Sequence, residues 1–176
     1  IFSDFNYGCL PQSLVHEIVE ACKSRKVLMV GDSQSSSQVG DVSRFKDMML
    51  LTPTEREARL SVGDFNSGLV VLSEKLRKKS RAKNILITLG AEGLLAHAAK
   101  KTNEEWLTDR LPALNTAPKD TAGAGDSLLA CCSLSLAVGA DIWQSMYLGS
   151  IASACQVRRI GNIPLSRRDI ASELAD

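Results

Sequence analysis

The stretch DTAGAGDSLLA, residues 120–130, sets four small residues, Ala122, Gly123, Ala124 and Gly125, before a carboxylate, Asp126, and an apolar run. Small residues let a backbone approach another group closely, and Gly123 and Gly125 do so with no Cβ in the way. A glycine-rich turn entering a helix also presents several backbone N–H groups at the positive end of the helix dipole, which makes an anion site. Asp126 falls in the first helical turn, where the same dipole favours a negative charge. An anion hole beside a carboxylate suits phosphoryl transfer to a hydroxyl. The donors neutralise charge on the γ-phosphoryl group, and the carboxylate accepts the proton of the attacking alcohol. The competing reading is structural: a helix start with an acid at its dipole and glycines for tight packing. The spacing is neither that of a P-loop, since no GK[ST] follows, nor GxGxxG.

The elements that must position this stretch alternate. LVHEIVEAC predicts a helix with Leu14, Val15, Ile18, Val19 and Cys22 on one face, and KVLMVGD a short apolar strand ending at Asp32. SQSSSQ, residues 33–38, reads as a loop, DMMLLTP as an apolar run stopped by Pro53, and TEREARLS as a short helix after a Thr cap. Residues 66–80 predict an amphipathic helix with Leu69, Val70, Leu72 and Leu76 inward and a basic end that suits the C-terminal dipole. NILITLG is the clearest buried strand, broken by Gly90 and Gly93. LLAHAAK and EEWLTDRL read as an antiparallel pair, and helices follow from 124, over 141–159 and over 166–175. Apolar strands alternating with amphipathic helices predict an α/β fold with a mostly parallel sheet covered on both faces. Ligands in such sheets sit beyond the carboxyl ends of the strands, near Asp4, Asp32, Thr52 to Glu57, Thr88 to Gly93 and the loop before 124. Asp32 is thereby a candidate for a role near magnesium or phosphate.

Composition narrows the partners. With 176 residues, 44% hydrophobic and 23% charged, the chain has the size and make-up of one globular domain. A formal net charge of +1 gives no field to recruit nucleic acid or an anionic membrane, so the partner has to be argued from a site. Five cysteines without CxxC spacing, three of them within apolar helical patterns where a free thiol packs as a small hydrophobe, predict a reduced, cytoplasmic setting and argue against metal ligation. The most apolar run, residues 127–140, is too short to span a bilayer. His16 and His97, the latter in an expected edge strand, read as surface or packing histidines, Trp106 and Trp143 as core or interface, and Asp120 as a tie within its turn. Arg158 and Arg159 read as a basic helix terminus. The chain opens on IFSDFNYG without a Met, which reads as the end of a strand and predicts a piece of a longer protein.

DTAGAGDS closely resembles the D-T-x-G-A-G-D signature of the ribokinase-like (PfkB) family of sugar kinases. The resemblance implies a ribokinase-like three-layer α/β sandwich, an anion hole from the backbone of Ala122 to Gly125, and a catalytic base at Asp126. LITLGAEG resembles the family's strand and turn near the ATP phosphates and ribose, implicating Thr88, Gly90 and Gly93 in ATP binding. LLTPTEREA resembles the segment with the family's N-x-x-E motif, which arranges Mg2+ through water. Glu57 takes the acidic position, and Thr54 stands where Asn is expected. ASACQVRRIGNIPLSRRDI resembles the adenine-side helices of the heptose kinase branch, and SDFNYG its S-D-Y-x-K-G, with Tyr7 in place of Lys. The resemblance covers residues 1–176 as the C-terminal, nucleotide-binding part of one kinase domain. The N-terminal part, with the sugar-binding residues and the β lid, is expected to lie outside this chain. ATP, Mg2+ and a small sugar substrate, a heptose phosphate foremost, are the implied ligands, and a homodimer is compatible with the reading. The alternatives are a kinase of another small alcohol, such as a nucleoside, and a degenerate kinase domain serving as a nucleotide-binding or assembly module.

Overall fold

The computed structural model describes residues 1–35, 39–99 and 108–175. The chain forms two compact units: Ile1–Thr88 with Leu95–Asp109, and Leu89–Leu94 with Arg110–Asp176.

The first unit carries the sheet. Its strands β1 (Phe2–Asp4), β2 (Val30–Ser33), β3 (Leu50–Leu51), β4 (Asn84–Thr88), β5 (Leu94–Ala98) and β6 (Thr108–Leu111) are ordered 1-2-3-4-5-6, with only the ends of β5 and β6 belonging to the second unit. The pairs β1–β2, β2–β3 and β3–β4 are parallel, in the registers Ser3 with Asp32, Val30 with Leu50, and Leu50 with Asn84. Helix α1 (Gln12–Ser24) makes the crossover from β1 to β2, and α2 (Glu55–Val62) with α3 (Leu69–Ser80) the one from β3 to β4, whereas between β2 and β3 the described residues hold a single 3-10 turn, Val42–Arg44. Ile85, Leu86 and Ile87 are consecutive and all buried, the signature of a strand covered on both faces. They share the core with Phe45, Met48, Leu50, Leu51, Leu72 and Leu76.

Some expected faces differ. Val15 and Val19 of α1 are buried, whereas Leu14 and Ile18 lie on the flank of that stripe and stay partly exposed. In α3 the buried residues are Leu72, Ser73, Glu74, Leu76 and Ser80, whereas Val70, expected inward, is exposed. The strand expected over KVLMVGD runs from Val30 to Ser33, with Met29 O before it accepting from Met49 N at 2.7 Å. His97 lies in β5, an interior strand, and is buried, with Nδ1 2.7 Å from Thr108 Oγ1 and Nε2 3.1 Å from Glu74 Oε2. Trp106 falls outside the described residues.

The second unit is helical: α4 (Ala124–Ala137), α5 (Ile142–Val157) and α6 (Arg167–Ala175). α4 and α5 pack through small residues. A Cβ on Gly149 would overlap Cys132 Sγ, Cys132 Sγ donates to Ser145 O at 3.1 Å, and the hydroxyls of Ser145 and Ser135 are 3.1 Å apart. Burial pushes the Cys132 thiol up to about 12, so it packs as a small hydrophobe. Arg158 forms a two-pronged pair with Glu173, and Arg159 meets Asp169 at 2.6 Å, joining the end of α5 to α6. Among the described residues no helix is long and apolar enough to cross a membrane.

Glu74 makes this packing pH-dependent. Burial alone raises its pKa, but hydrogen bonds from Arg77 and His97 outweigh it and hold the carboxyl at about 2, below its usual 4.5. A depressed folded pKa gives stability that is present above about 4.5 and lost as pH falls toward 2. Urea titrations of the intact protein across that window should show a steeper acid loss for the wild type than for Glu74→Gln; equal slopes would contradict the pairing.

Candidate functional site

In the second unit the chain enters α4 through Gly123, whose φ of +75° is the left-handed conformation that favours glycine. A Cβ there would also overlap the Asn162 carboxamide. The kink follows a turn built on Asp120, whose Oδ1 accepts from Ala122 N at 3.0 Å and whose Oδ2 accepts from Gly161 N at 2.8 Å. These two backbone donors hold the Asp120 carboxyl below its usual range. Ala124 N donates to Thr121 O at 3.3 Å and Ser127 N to Gly123 O at 2.9 Å. The N–H groups of Gly123, Gly125 and Asp126 have no acceptor among the described residues, as the open end of a helix requires. The Asp126 carboxylate, half-buried in the first turn, has no hydrogen-bond or ion-pair partner among those residues. Three open donors beside a carboxylate without a partner among the described residues fit a phosphate group and a proton acceptor.

Gly90 and Gly93 bound a tight turn in the same unit, closed by Gly93 N to Gly90 O at 3.1 Å and Leu89 N to Gly93 O at 2.8 Å. Gly90 is exposed, with open space where a Cβ would stand. Gly93, at φ +92°, presses on the backbone of Leu111 to Ala113, so its lack of a side chain already has a packing cause.

In the first unit the polar residues gather at the carboxyl ends of the parallel strands. Thr88 N donates to Pro53 O at 2.9 Å, and Thr54 and Thr88 form an isolated parallel bridge, so two of the expected site residues meet. Thr54 caps α2: its hydroxyl accepts from Glu57 N at 3.2 Å, and Glu57 Oε2 accepts from Thr54 N at 2.8 Å. The other Glu57 oxygen accepts from Ser35 N at 2.8 Å. Both carboxylate oxygens keep a lone pair for water, so Glu57 fits a role toward Mg2+ through water better than direct ligation. Among the described residues no three His, Cys, Asp or Glu side chains form a ligand set. Asp32 is buried in β2, in register with Ser3.

Sequence reasoning missed the reciprocity of Thr54 and Glu57, although T-x-x-E before a helix is its signature. It also missed Gln156, buried at the end of α5, whose Nε2 lies 3.3 Å from Ala122 O and 3.2 Å from Gly161 O. Nothing in the local pattern announces that contact, because the partners lie 34 and 5 residues away.

Residues 3–168 match the pfkB family of carbohydrate kinases. The chain belongs to that family. Among curated relatives, it is 29% identical to the bifunctional protein HldE of Desulfatibacillum aliphaticivorans, over 100% of this chain and 35% of the relative. HldE of Helicobacter hepaticus is 28% identical over 97% of this chain and 34% of its own length. Solved structures share the fold. Phosphofructokinase-2 from Escherichia coli in complex with substrates and products superposes with a TM-score of 0.78 at 17% identity, covering 98% of this chain and 54% of that one. Ribokinase from Thermotoga maritima gives 0.72 at 23%, covering 99% and 56%. The chain thus spans about a third of these curated relatives and about half of these structural neighbours. The fold is the ribokinase-like α/β fold expected from the signature at 120–126.

The two glycines of the loop differ in what they tolerate. Gly123→Ala forces a side chain into the left-handed region and onto Asn162, and should cost at least about 1–2 kcal/mol. Gly125→Ala has open space in a helical turn and should be neutral or gain up to about 1 kcal/mol. Urea denaturation of both variants checks the contrast, and equal destabilisation would contradict the loop geometry.

Proposed function

We propose that residues 1–176 are the nucleotide-binding, base-bearing part of an ATP-dependent sugar kinase, which transfers the γ-phosphoryl group of MgATP to a hydroxyl of a sugar or sugar phosphate. The observation that carries the reading is the Asp126 carboxylate, without a partner among the described residues, beside the N–H groups of Gly123, Gly125 and Asp126, open among the same residues. In this reading those donors, in the anion hole spanning Ala122 to Gly125, bind the γ-phosphoryl oxygens and strengthen as charge develops there. Asp126 accepts the proton of the attacking hydroxyl while the new O–P bond forms and the bond to the β–γ bridging oxygen breaks, releasing ADP. Mg2+ supplies charge neutralisation on the phosphates. Glu57 and Thr54 are assigned to its waters, Thr88, Gly90 and Gly93 to ATP, and Asp32 to the neighbourhood of metal or phosphate.

A heptose phosphate is the favoured acceptor, supported by the tail at 152–170, by SDFNYG and by the similarity to the HldE proteins. The sugar pocket is assigned to a further part of the same kinase domain, supported by the longer chains of the relatives and neighbours. The enzyme is assigned to the cytoplasm. A second reading, a nucleotide-binding module without turnover, draws on Thr54, whose hydroxyl already serves as the cap of α2.

Asp126→Asn in the intact protein should lower kcat by two or more orders of magnitude while ATP affinity stays within a few-fold. Steady-state kinetics with a panel of sugar phosphates, nucleosides and other small alcohols, together with calorimetry, checks both. An unchanged rate would remove Asp126 as the base, and ATP binding with no turnover on any acceptor would favour the second reading.

A further inference from the structure

Gln156 closes α5 with a side chain that is only 1% exposed. A carboxamide so deeply buried needs partners inside the protein, and its Nε2 donates both to Ala122 O at 3.3 Å and to Gly161 O at 3.2 Å. Asp120 completes the arrangement from the other side, accepting from the N–H groups of the same two residues. Residues 122 and 161 are therefore each held by both their donor and their acceptor. Lys119 N and Asp120 N both donate to Val157 O, at 2.7 and 3.3 Å, so the chain leading into the loop is fastened to the same end of α5.

One of these bonds bears directly on the open donors. The carbonyl of Ala122 and the N–H of Gly123 belong to one planar trans peptide and point in opposite directions. Whatever fixes the Ala122 oxygen also fixes the aim of the Gly123 N–H, and donation to that oxygen polarises the peptide so that the N–H becomes a stronger donor. We propose that Gln156 is a positioning residue for phosphoryl transfer, aiming the Gly123 N–H at the transferred group by holding Ala122 O. Gln156 touches neither nucleotide nor acceptor in this role. The inference rests on the kinase reading given above, because an aimed donor matters only if an anion is bound there.

The test uses the intact protein, MgATP and a heptose phosphate as acceptor. Gln156→Met keeps the length of the side chain and removes the donors; kcat should fall 10- to 100-fold with KM for ATP changed less than threefold. Gln156→Glu adds a readout that a packing role would not give. A protonated Glu can donate to one carbonyl and an ionised one cannot, so the ratio of its kcat to that of the wild type should rise as pH falls. Should Gln156→Met fail to fold, the pH dependence of Gln156→Glu carries the decision. A folded Gln156→Met with wild-type kcat, or a Gln156→Glu ratio flat with pH, overturns the positioning role. If the wild type turns over and Asp126→Asn does not, either of those results overturns this inference alone; a wild type without turnover overturns the kinase reading with it.

Discussion

The left-handed turn at Gly123 is the constraint on which the second unit depends. Only a residue without a Cβ can take that conformation while lying against Asn162, and α4 starts from it with three backbone donors open among the described residues. Donors left open at a helix start are common, but here the loop that carries them is bonded to Gln156 and Val157 at the end of α5 and to Gly161 just beyond it. The cost of ordering the loop is met in the fold and not at the moment an anion arrives, which is the physical content of a preorganised site. Small residues also set the α4–α5 contact, where Gly149 leaves room for Cys132 Sγ and the Leu128 backbone.

The first unit solves a different problem. Its parallel strands end in polar groups that the sheet no longer satisfies, and those groups are taken up by the start of α2. Glu57 is the centre of that arrangement, bonding Thr54 N through one oxygen and Ser35 N through the other. A carboxylate anchored by two backbone donors is fixed in direction and still able to accept from water. The threonine at position 54 is consistent with the same economy of groups: a hydroxyl caps the helix, as the amide of an Asn also can.

Much of this was legible because the informative residues act locally. The α4 start could be read from four small residues and an acid, β4 from NILIT, and the α2 start from a threonine followed by helix formers. The reading failed where a third partner decides the outcome. Val70 looks inward from its hydrophobicity but is exposed, while the charged Glu74 of the same helix is buried against His97. His97 looks like an edge residue until Glu74, 23 positions earlier, and Thr108 are seen to bracket its ring. Gln156 is an unremarked polar residue in an apolar helix, and its meaning exists only in the contact between two loops. Resemblance reached the family through the signature, whereas the groups that support the signature had to come from the geometry.

The central claim is that the open donors at the start of α4 bind phosphate, and the most direct test is a calorimetric titration of the intact protein with ATP and Mg2+, comparing the wild type with Gly125→Asp. A side chain at 125 meets open space, so the substitution places a negative charge beside the donors without disturbing the packing. The account predicts saturable binding to the wild type and at least tenfold weaker binding to a folded Gly125→Asp; equal affinity for the two proteins would contradict it.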